Sequence, residues 1–361
     1  MDFSSDEYEV YDGGSGRIPT IRFTTAAVPR GNRFTAWQRM IESLFDAEPR
    51  PASGPDTFSA AMTSYHFGRF LLCQSRVDGV SYRRSEERVH RSDLDHYLIH
   101  LPLHRAVRFG RAGGGKRVRP MEGGVLDLSR AADFHAAAGE AITLLVPRGA
   151  LAPLLKSPGH QHGRVLSRET PVGAFLARHL MALAVAAPRL GRVEASTVSA
   201  PILALVAACL DLGAEGDALS PVLGRHDLVR RVRAHIEQNL HREELTPASL
   251  AKDLGVSRSQ LYRQFEGAGG VWHYIRQRRL HRCLLILCNP SHGNRRIADV
   301  AYDHGFADEA HFSRLFRQAF GLSPRAARTA ARHGDRSVLA ALTPTSGEAS
   351  PFAHWVRDLA V

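Results

Sequence analysis

A motif built around a turn glycine occurs twice in this chain, and a unit used twice limits the fold more than composition does. One copy runs AKDLGVSRSQLYRQFEGAGG from Ala251 to Gly270, the other HGFADEAHFSRLFRQAFGLSP from His304 to Pro324. Ala251, Asp253 and Gly255 align with Ala301, Asp303 and Gly305. After a one-residue insertion, Ser257, Leu261, Arg263, Phe265 and Gly270 align with Asp308, Phe312, Arg314, Phe316 and Gly321. A small residue, an acid, a glycine, a helix cap, two apolar residues four apart and an arginine recur in order.

Each copy reads as two short helices. Thr246 and Pro247 form an N-cap followed by proline at the first helical position. Leu250, Ala251 and Leu254 make an apolar stripe, and Gly255 ends the helix because a sharp turn needs a left-handed residue. Ser257 caps a second helix with Leu261 and Phe265 inward, leaving Arg258, Ser259, Tyr262, Arg263 and Glu266 outside. In the other copy Ile297, Ala298, Val300 and Ala301 precede Gly305. Asp308 is the cap, Phe312 and Phe316 face inward, and Glu309, Ala310, His311, Arg314 and Arg317 face outward. The pattern predicts helix-turn-helix units over about 246–266 and 297–320; two helical hairpins inside an all-helical bundle would share it.

Charge separates these readings. Val222 to Arg332 holds 19 Lys+Arg and 10 Asp+Glu, leaving 28 and 26 elsewhere, so +9 of the net +11 sits with the repeat. A basic module beside a near-neutral one is the footprint of polyanion binding, although a solvated arginine-rich surface gives the same count. Between the copies, VWHYIRQRRLHRCLLILCN predicts a long helix ended by Pro290. From His273 to Cys288 it would span about 24 Å, of the order that sets two recognition helices one DNA turn, about 34 Å, apart.

Residues 225–331 resemble the C-terminal DNA-binding domain of AraC/XylS-type transcription regulators. The likeness is carried by IADVAYDHGFADEAHFSRLFRQAFGLSPRAAR (297–328) and LAKDLGVSRSQLYRQFEGAGGVWHYIRQRRL (250–280). It implies an all-α domain of seven helices whose two helix-turn-helix units enter adjacent major grooves of double-stranded DNA. Carried over by position, the base-edge candidates are Arg258, Ser259, Tyr262 and Arg263 in the first recognition helix. In the second they are Glu309, Ala310, His311 and Arg314. Arg263 and Arg314 suit bidentate contact with guanine, and Glu309 can accept from cytosine N4. Arg276, Arg279, Arg295 and Arg317 are assigned to phosphate. Ala326-Ala327 stands where the family has a bulkier residue, which predicts local repacking.

Upstream, RFTAWQRMIESLF places Phe34, Trp37, Ile41 and Leu44 on one helical face. From Thr57 to Val146, stretches such as FSAAMTSYHFG, HYLIHLP, VLDLS and AITLLVP read as short strands between turns, a small barrel or sandwich. Apolar helices over Val172–Ala187 and Ala195–Leu212 follow. The span from GGVLDL to LLVPR resembles the cupin-like effector and dimerisation domain of the same family. The expected fold is therefore α+β: an N-terminal cupin-like β-barrel with helices, then the all-α domain. Expected boundaries are a disordered acidic tail (1–16), an effector and dimerisation domain (17–215), a linker (216–224), the DNA-binding domain (225–331) and a C-terminal tail (332–361). In that tail SPFAHWVRDLAV predicts a short helix packed on a domain. The resemblance further implies a small-molecule effector, a homodimer formed through the N-terminal domain, and contact with RNA polymerase if the protein activates.

Other readings are narrower. No apolar run reaches the roughly eighteen residues that span a bilayer, and the acidic start lacks a signal-peptide pattern. Cys73, Cys209, Cys283 and Cys288 form no CxxC pair, so a cytoplasmic location with reduced thiols and no membrane partner is expected. Gly110–Arg117, GRAGGGKR, matches part of a phosphate-binding loop. Arg117 stands where Ser or Thr belongs, and a glycine hairpin turn fits better. His96, His100 and His104 recur every fourth residue in a strand-like stretch, without the carboxylate that a cupin metal set would add, and His160 and His162 stand alone. No catalytic residue, metal site or cofactor is assigned, and the chain is read as a regulator rather than an enzyme. A metal-dependent cupin-type enzyme tethered to DNA, and an effector-independent DNA binder, remain as alternatives.

Overall fold

A computed structural model describes residues 8–11, 16–50, 57–92, 94–109, 115–213, 228, 231–232, 235–236, 239–242, 244–265, 270–288, 295–333 and 350–359. The chain divides into two compact units, 1–222 together with 348–361, and 223–347.

The first unit is built on two antiparallel sheets. In spatial order the larger runs Tyr8–Tyr11, Thr20–Thr24, Ala60–His66, Leu71–Val77, Gly139–Pro147, His96–Pro102, Gly123–Asp127, Arg164–Leu166. The smaller runs Asp46–Pro49, Val80–Arg84, Ala132–Ala136, Val107–Phe109, Lys116–Val118. Successive side chains of a strand point to opposite faces, and the central strands are apolar on both. Leu98, Leu126 and Leu145 join Tyr82, Phe109 and Phe134 of the smaller sheet in one cluster between the sheets. Their neighbours Ile99, Val125 and Leu144 face the other way, into a cluster with Leu176, Leu180, Leu203 and Val206 of two helices, Pro171–Ala186 and Arg192–Leu212. By length and composition the helical segments Pro171–Arg189 and Arg192–Leu212 are apolar enough to cross a membrane. Here each lays one face on the sheet.

Two expectations change. Residues 1–16 are not tail throughout, because Tyr8–Tyr11 pairs antiparallel with the strand at Thr20, Tyr8 opposite Phe23. The alternating YEVY brings the Tyr8 ring to 5.3 Å from the buried Phe23 ring, tilted against it, a cross-strand aromatic pair that offsets the cost of ordering the segment. The span 332–361 is not one tail either. Helix Pro324–His333 begins in the second unit, whereas helix Pro351–Asp358 belongs to the first. Ser350 caps the latter, its Oγ accepting from the Ala353 amide and donating to the Met40 carbonyl, both at 3.2 Å. Phe352, Val356 and Leu359 are buried in the inter-sheet cluster with Trp37 and Met40, and Trp355 meets His66 edge-on at 5.2 Å. The second unit is thus inserted between two segments of the first.

The glycine run from Gly110 joins two strands that pair antiparallel, Val107 opposite Val118 and Phe109 opposite Lys116. Residues 110–114 and the linker at 216–224 lie outside the described residues.

Phe352→Ala should cost the first unit about 3–5 kcal/mol, the usual penalty for emptying a phenylalanine site. Segment-resolved hydrogen exchange checks this. Protection should fall across the barrel strands while the second unit's helices keep theirs; equal loss in both would contradict the assignment of this helix.

Candidate nucleic-acid interface and barrel interior

In the second unit, helix Pro247–Leu254 starts at Thr246, whose Oγ1 accepts from the Ser249 amide at 3.1 Å, and stops at Gly255 in the left-handed region, φ +65°. Ser257 then opens helix Arg258–Phe265. Its Oγ accepts from the Gln260 amide at 3.2 Å while Gln260 Oε1 accepts from the Ser257 amide at 3.1 Å, a reciprocal capping box. The second copy repeats the plan: helix Ile297–Tyr302, Gly305 at φ +72°, then helix Glu309–Phe320. Asp308 caps it, accepting from the amides of Ala310 at 2.9 Å and His311 at 3.1 Å. Those two amides hold its carboxyl below the usual aspartate range and put a fixed negative charge at the helix's positive end.

Leu261 and Phe265 in one recognition helix, and Phe312, Phe316 and Phe320 in the other, are buried. Arg258, Ser259, Tyr262 and Arg263, and Glu309, Ala310, His311 and Arg314, are all exposed. Among the described residues the guanidiniums of Arg258, Arg263, Arg314 and Arg317 have no hydrogen-bond or ion-pair partner. Solvated guanidiniums on the outer face of a capped helix retain the donors that bidentate contact with a base edge requires.

The four arginines assigned to phosphate part company. Arg317 and Arg276 are exposed, the latter touching His273 Nδ1 at 3.2 Å. Arg295 is paired with Asp303. Arg279 is 5% exposed and donates to three backbone carbonyls, those of Leu240, Arg242 and Gly305. Contrary to the sequence expectation, Arg279 is not a phosphate contact, because its donors are consumed inside the fold. The structure adds Lys252, Arg296 and Arg325, exposed bases without a partner among the described residues. Lys252 lies in the last turn of helix Pro247–Leu254, Arg296 directly precedes helix Ile297–Tyr302, and Arg325 lies in the first turn of helix Pro324–His333. Ala327 is fully buried beside Phe316 and Phe320, so the small residue at this place packs into the core.

The first unit carries a different feature. Register places Ser64, Cys73, Thr143, His100 and Gly124 in one row across five adjacent strands. The row lies on the face turned toward the smaller sheet. Ser64 Oγ donates to Cys73 Sγ at 3.4 Å, His100 Nδ1 bonds Thr143 Oγ1 at 2.9 Å, and the Phe109 ring covers Gly124. Phe134 meets the His100 ring edge-on at 4.9 Å. Burial pushes the His100 pKa down to about 4 and, outweighing the opposing Ser64 hydrogen bond, the Cys73 thiol up to about 12, so both are neutral at pH 7. His100 Nε2 has no hydrogen-bond partner among the described residues. His104, by contrast, is exposed beside Glu140 at 3.2 Å.

Comparison with known proteins agrees for both units. A family profile described as a helix-turn-helix domain matches residues 250–330, and one described as an AraC-binding-like domain matches 37–211. Transcriptional activator NphR of a Rhodococcus species is 26% identical over 87% of this chain and 94% of its own length. The XylDLEGF operon transcriptional activator of Pseudomonas putida is 36% identical over 96 residues, 26% of this chain and 30% of that protein. Among solved structures, the AraC-like transcriptional activator CuxR superposes with a TM-score of 0.56 at 26% identity, covering 72% of this chain and 93% of that one.

Arg314→Ala should weaken operator binding by about 1–3 kcal/mol and relax preference at one base position; titration against single-base variants of the site checks this. A loss uniform across all sequences, with a shallower salt dependence, would make Arg314 a phosphate contact instead. For His100, the unfolded chain takes up its proton near pH 6.5 and the folded one near 4. Stability therefore falls as pH drops through that window, by at most about 1.4 kcal/mol per unit, and is whole above it. Denaturant unfolding of wild type and His100→Asn at pH 7 and pH 5 should show the difference between them changing by about 1–2 kcal/mol. A constant difference would contradict it.

Proposed function

The chain belongs to the AraC/XylS family of transcription regulators, and from that footing we propose that it activates transcription from operators made of two short boxes read by one protomer. The observation that carries this is the pair of capped helix-turn-helix units in one compact domain, each exposing unpaired arginines. NphR, the XylDLEGF operon activator and CuxR bear activator names, which favours activation, with contact to RNA polymerase, over repression. The protein acts in the cytosol as a binder of double-stranded DNA, without a catalytic step of its own.

Control enters through the first unit. The polar row ending at His100 is the place where a small effector finds hydrogen-bonding groups among aromatic rings. Dimerisation uses the outer face of the two long helices, where Phe175, Met181 and Val185, with Val193 and Leu212, remain exposed. A second copy of the chain is the occupant, because these helices present apolar side chains on the face turned away from the sheet.

Selection of bound sequences from a random duplex pool by the full-length protein tests the function. The expected result is an asymmetric site with two boxes about one turn apart and a log–log salt slope of several units. Sedimentation of the same preparation should give a dimer that Val185→Asp weakens. Salt-sensitive binding with no enriched sequence would overturn the reading.

A further inference from the structure

The long helix Val271–Cys288 runs through both halves of the second unit, and its buried side chains divide between them. Val271, Tyr274 and Ile275 belong to the apolar cluster of the first helix-turn-helix, which includes Leu261 and Phe265. Leu280, Cys283, Leu284 and Leu287 belong to that of the second, with Phe312 and Phe316. Arg279 sits at the seam.

Its Nε donates to the Leu240 carbonyl at 3.2 Å, its Nη2 to the Arg242 carbonyl at 2.5 Å, and its Nη1 to the Gly305 carbonyl at 3.2 Å. Leu240 and Arg242 form the entry to the first reader: the Arg242 carbonyl also accepts the Leu245 amide at 3.1 Å, one residue before the Thr246 cap. Gly305 is the turn of the second reader. A Cβ at position 305 would come within 2.6 Å of Arg279 Cζ, so the guanidinium is seated directly against that backbone. Guanidinium donors diverge in one rigid plane. Three carbonyls bonded to it are therefore held at fixed mutual angles, which two apolar clusters joined by a single helix do not enforce by themselves.

We propose that Arg279 is a positioning residue for DNA recognition, setting the register of the two recognition helices and hence the box spacing the protein accepts. The inference rests on the double-reader function above. It makes spacing specificity a property of a buried side chain that touches no DNA. Inserting one base pair shifts one box about 3.4 Å along the duplex and rotates it about the axis, so a rigid pair of readers loses one of its contacts and a loosened pair adapts.

The test uses the full-length chain and its Arg279→Met, Arg279→Lys and Gly305→Ala variants. Each is titrated with the duplex recovered from the pool, with its single-box derivatives, and with derivatives carrying one or two base pairs added or removed between boxes. Wild type should lose about tenfold per base pair of altered spacing. Arg279→Met should bind single boxes within about twofold of wild type, yet bind the native spacing about tenfold more weakly and with a flattened spacing profile. Arg279→Lys should fall between the two, and Gly305→Ala, which evicts the guanidinium, should resemble Arg279→Met. A spacing profile parallel to that of wild type in Arg279→Met overturns the proposal. So does loss of single-box binding in every variant, Arg279→Lys included, which would make the residue one of folding alone. Wild type indifferent to either box would overturn the double-reader function, and this inference with it.

Discussion

The second unit turns on two left-handed glycines, Gly255 and Gly305, each ending one short helix so that the next can start at a steep angle. The bonds around them are the same: the Val256 amide reaches the Ala251 carbonyl at 3.0 Å and the Phe306 amide reaches Ala301 at 3.1 Å. An L side chain at such a φ costs about 1–2 kcal/mol. At Gly305 it would also strike Arg279, whereas around Gly255 there is open space. With the turns fixed, the caps Ser257 and Asp308 follow within three residues, and each recognition helix then has one way to lie: aromatic and leucine side chains inward, arginines outward. The repeat is thus a repeat of backbone geometry, with side chains free to differ where they meet DNA.

The first unit solves another problem. The central strands of its larger sheet carry apolar side chains on both faces, so they need cover on each side. The smaller sheet supplies one cover and the two long helices the other. Helix Pro351–Asp358 adds a last piece to the inter-sheet cluster, and because the second unit intervenes in sequence, the DNA-facing unit is tethered to the first at both of its ends. Charges inside this unit are paired or bonded to carbonyls. Arg148 lies with Asp95 and Asp127, and Arg84 donates to the Leu44 and Leu128 carbonyls, as buried ions require.

Much of this was legible in the sequence, for physical reasons that can be stated. Caps, turn glycines and i, i+4 apolar pairs are local, so the two readers and their inward residues could be named from spacing alone. The α+β plan and the long helices were visible because their apolar runs are long. What escaped depends on partners distant in sequence. Strand Tyr8–Tyr11 is ordered by the buried Phe23 it lies against, and the terminal helix by Met40 and the inter-sheet core, contacts that no local pattern announces. Arg279 is hard to tell apart in the sequence because RQRRLHR offers several arginines on one helix. A clue was present: Ile275, Arg279 and Cys283 are four apart and form one buried stripe. An arginine in such a stripe must find acceptors inside, as Arg279 does in three backbone carbonyls.

In this reading one protomer reads two boxes with two separate arginine-bearing helices. Guanine methylation interference on the selected duplex tests it most directly, because N7 is the atom a bidentate arginine needs. Two interference windows should appear on one face of the duplex, about ten base pairs apart, with Arg263→Ala erasing one and Arg314→Ala erasing the other. A single window, or loss of both windows on either substitution, would contradict it.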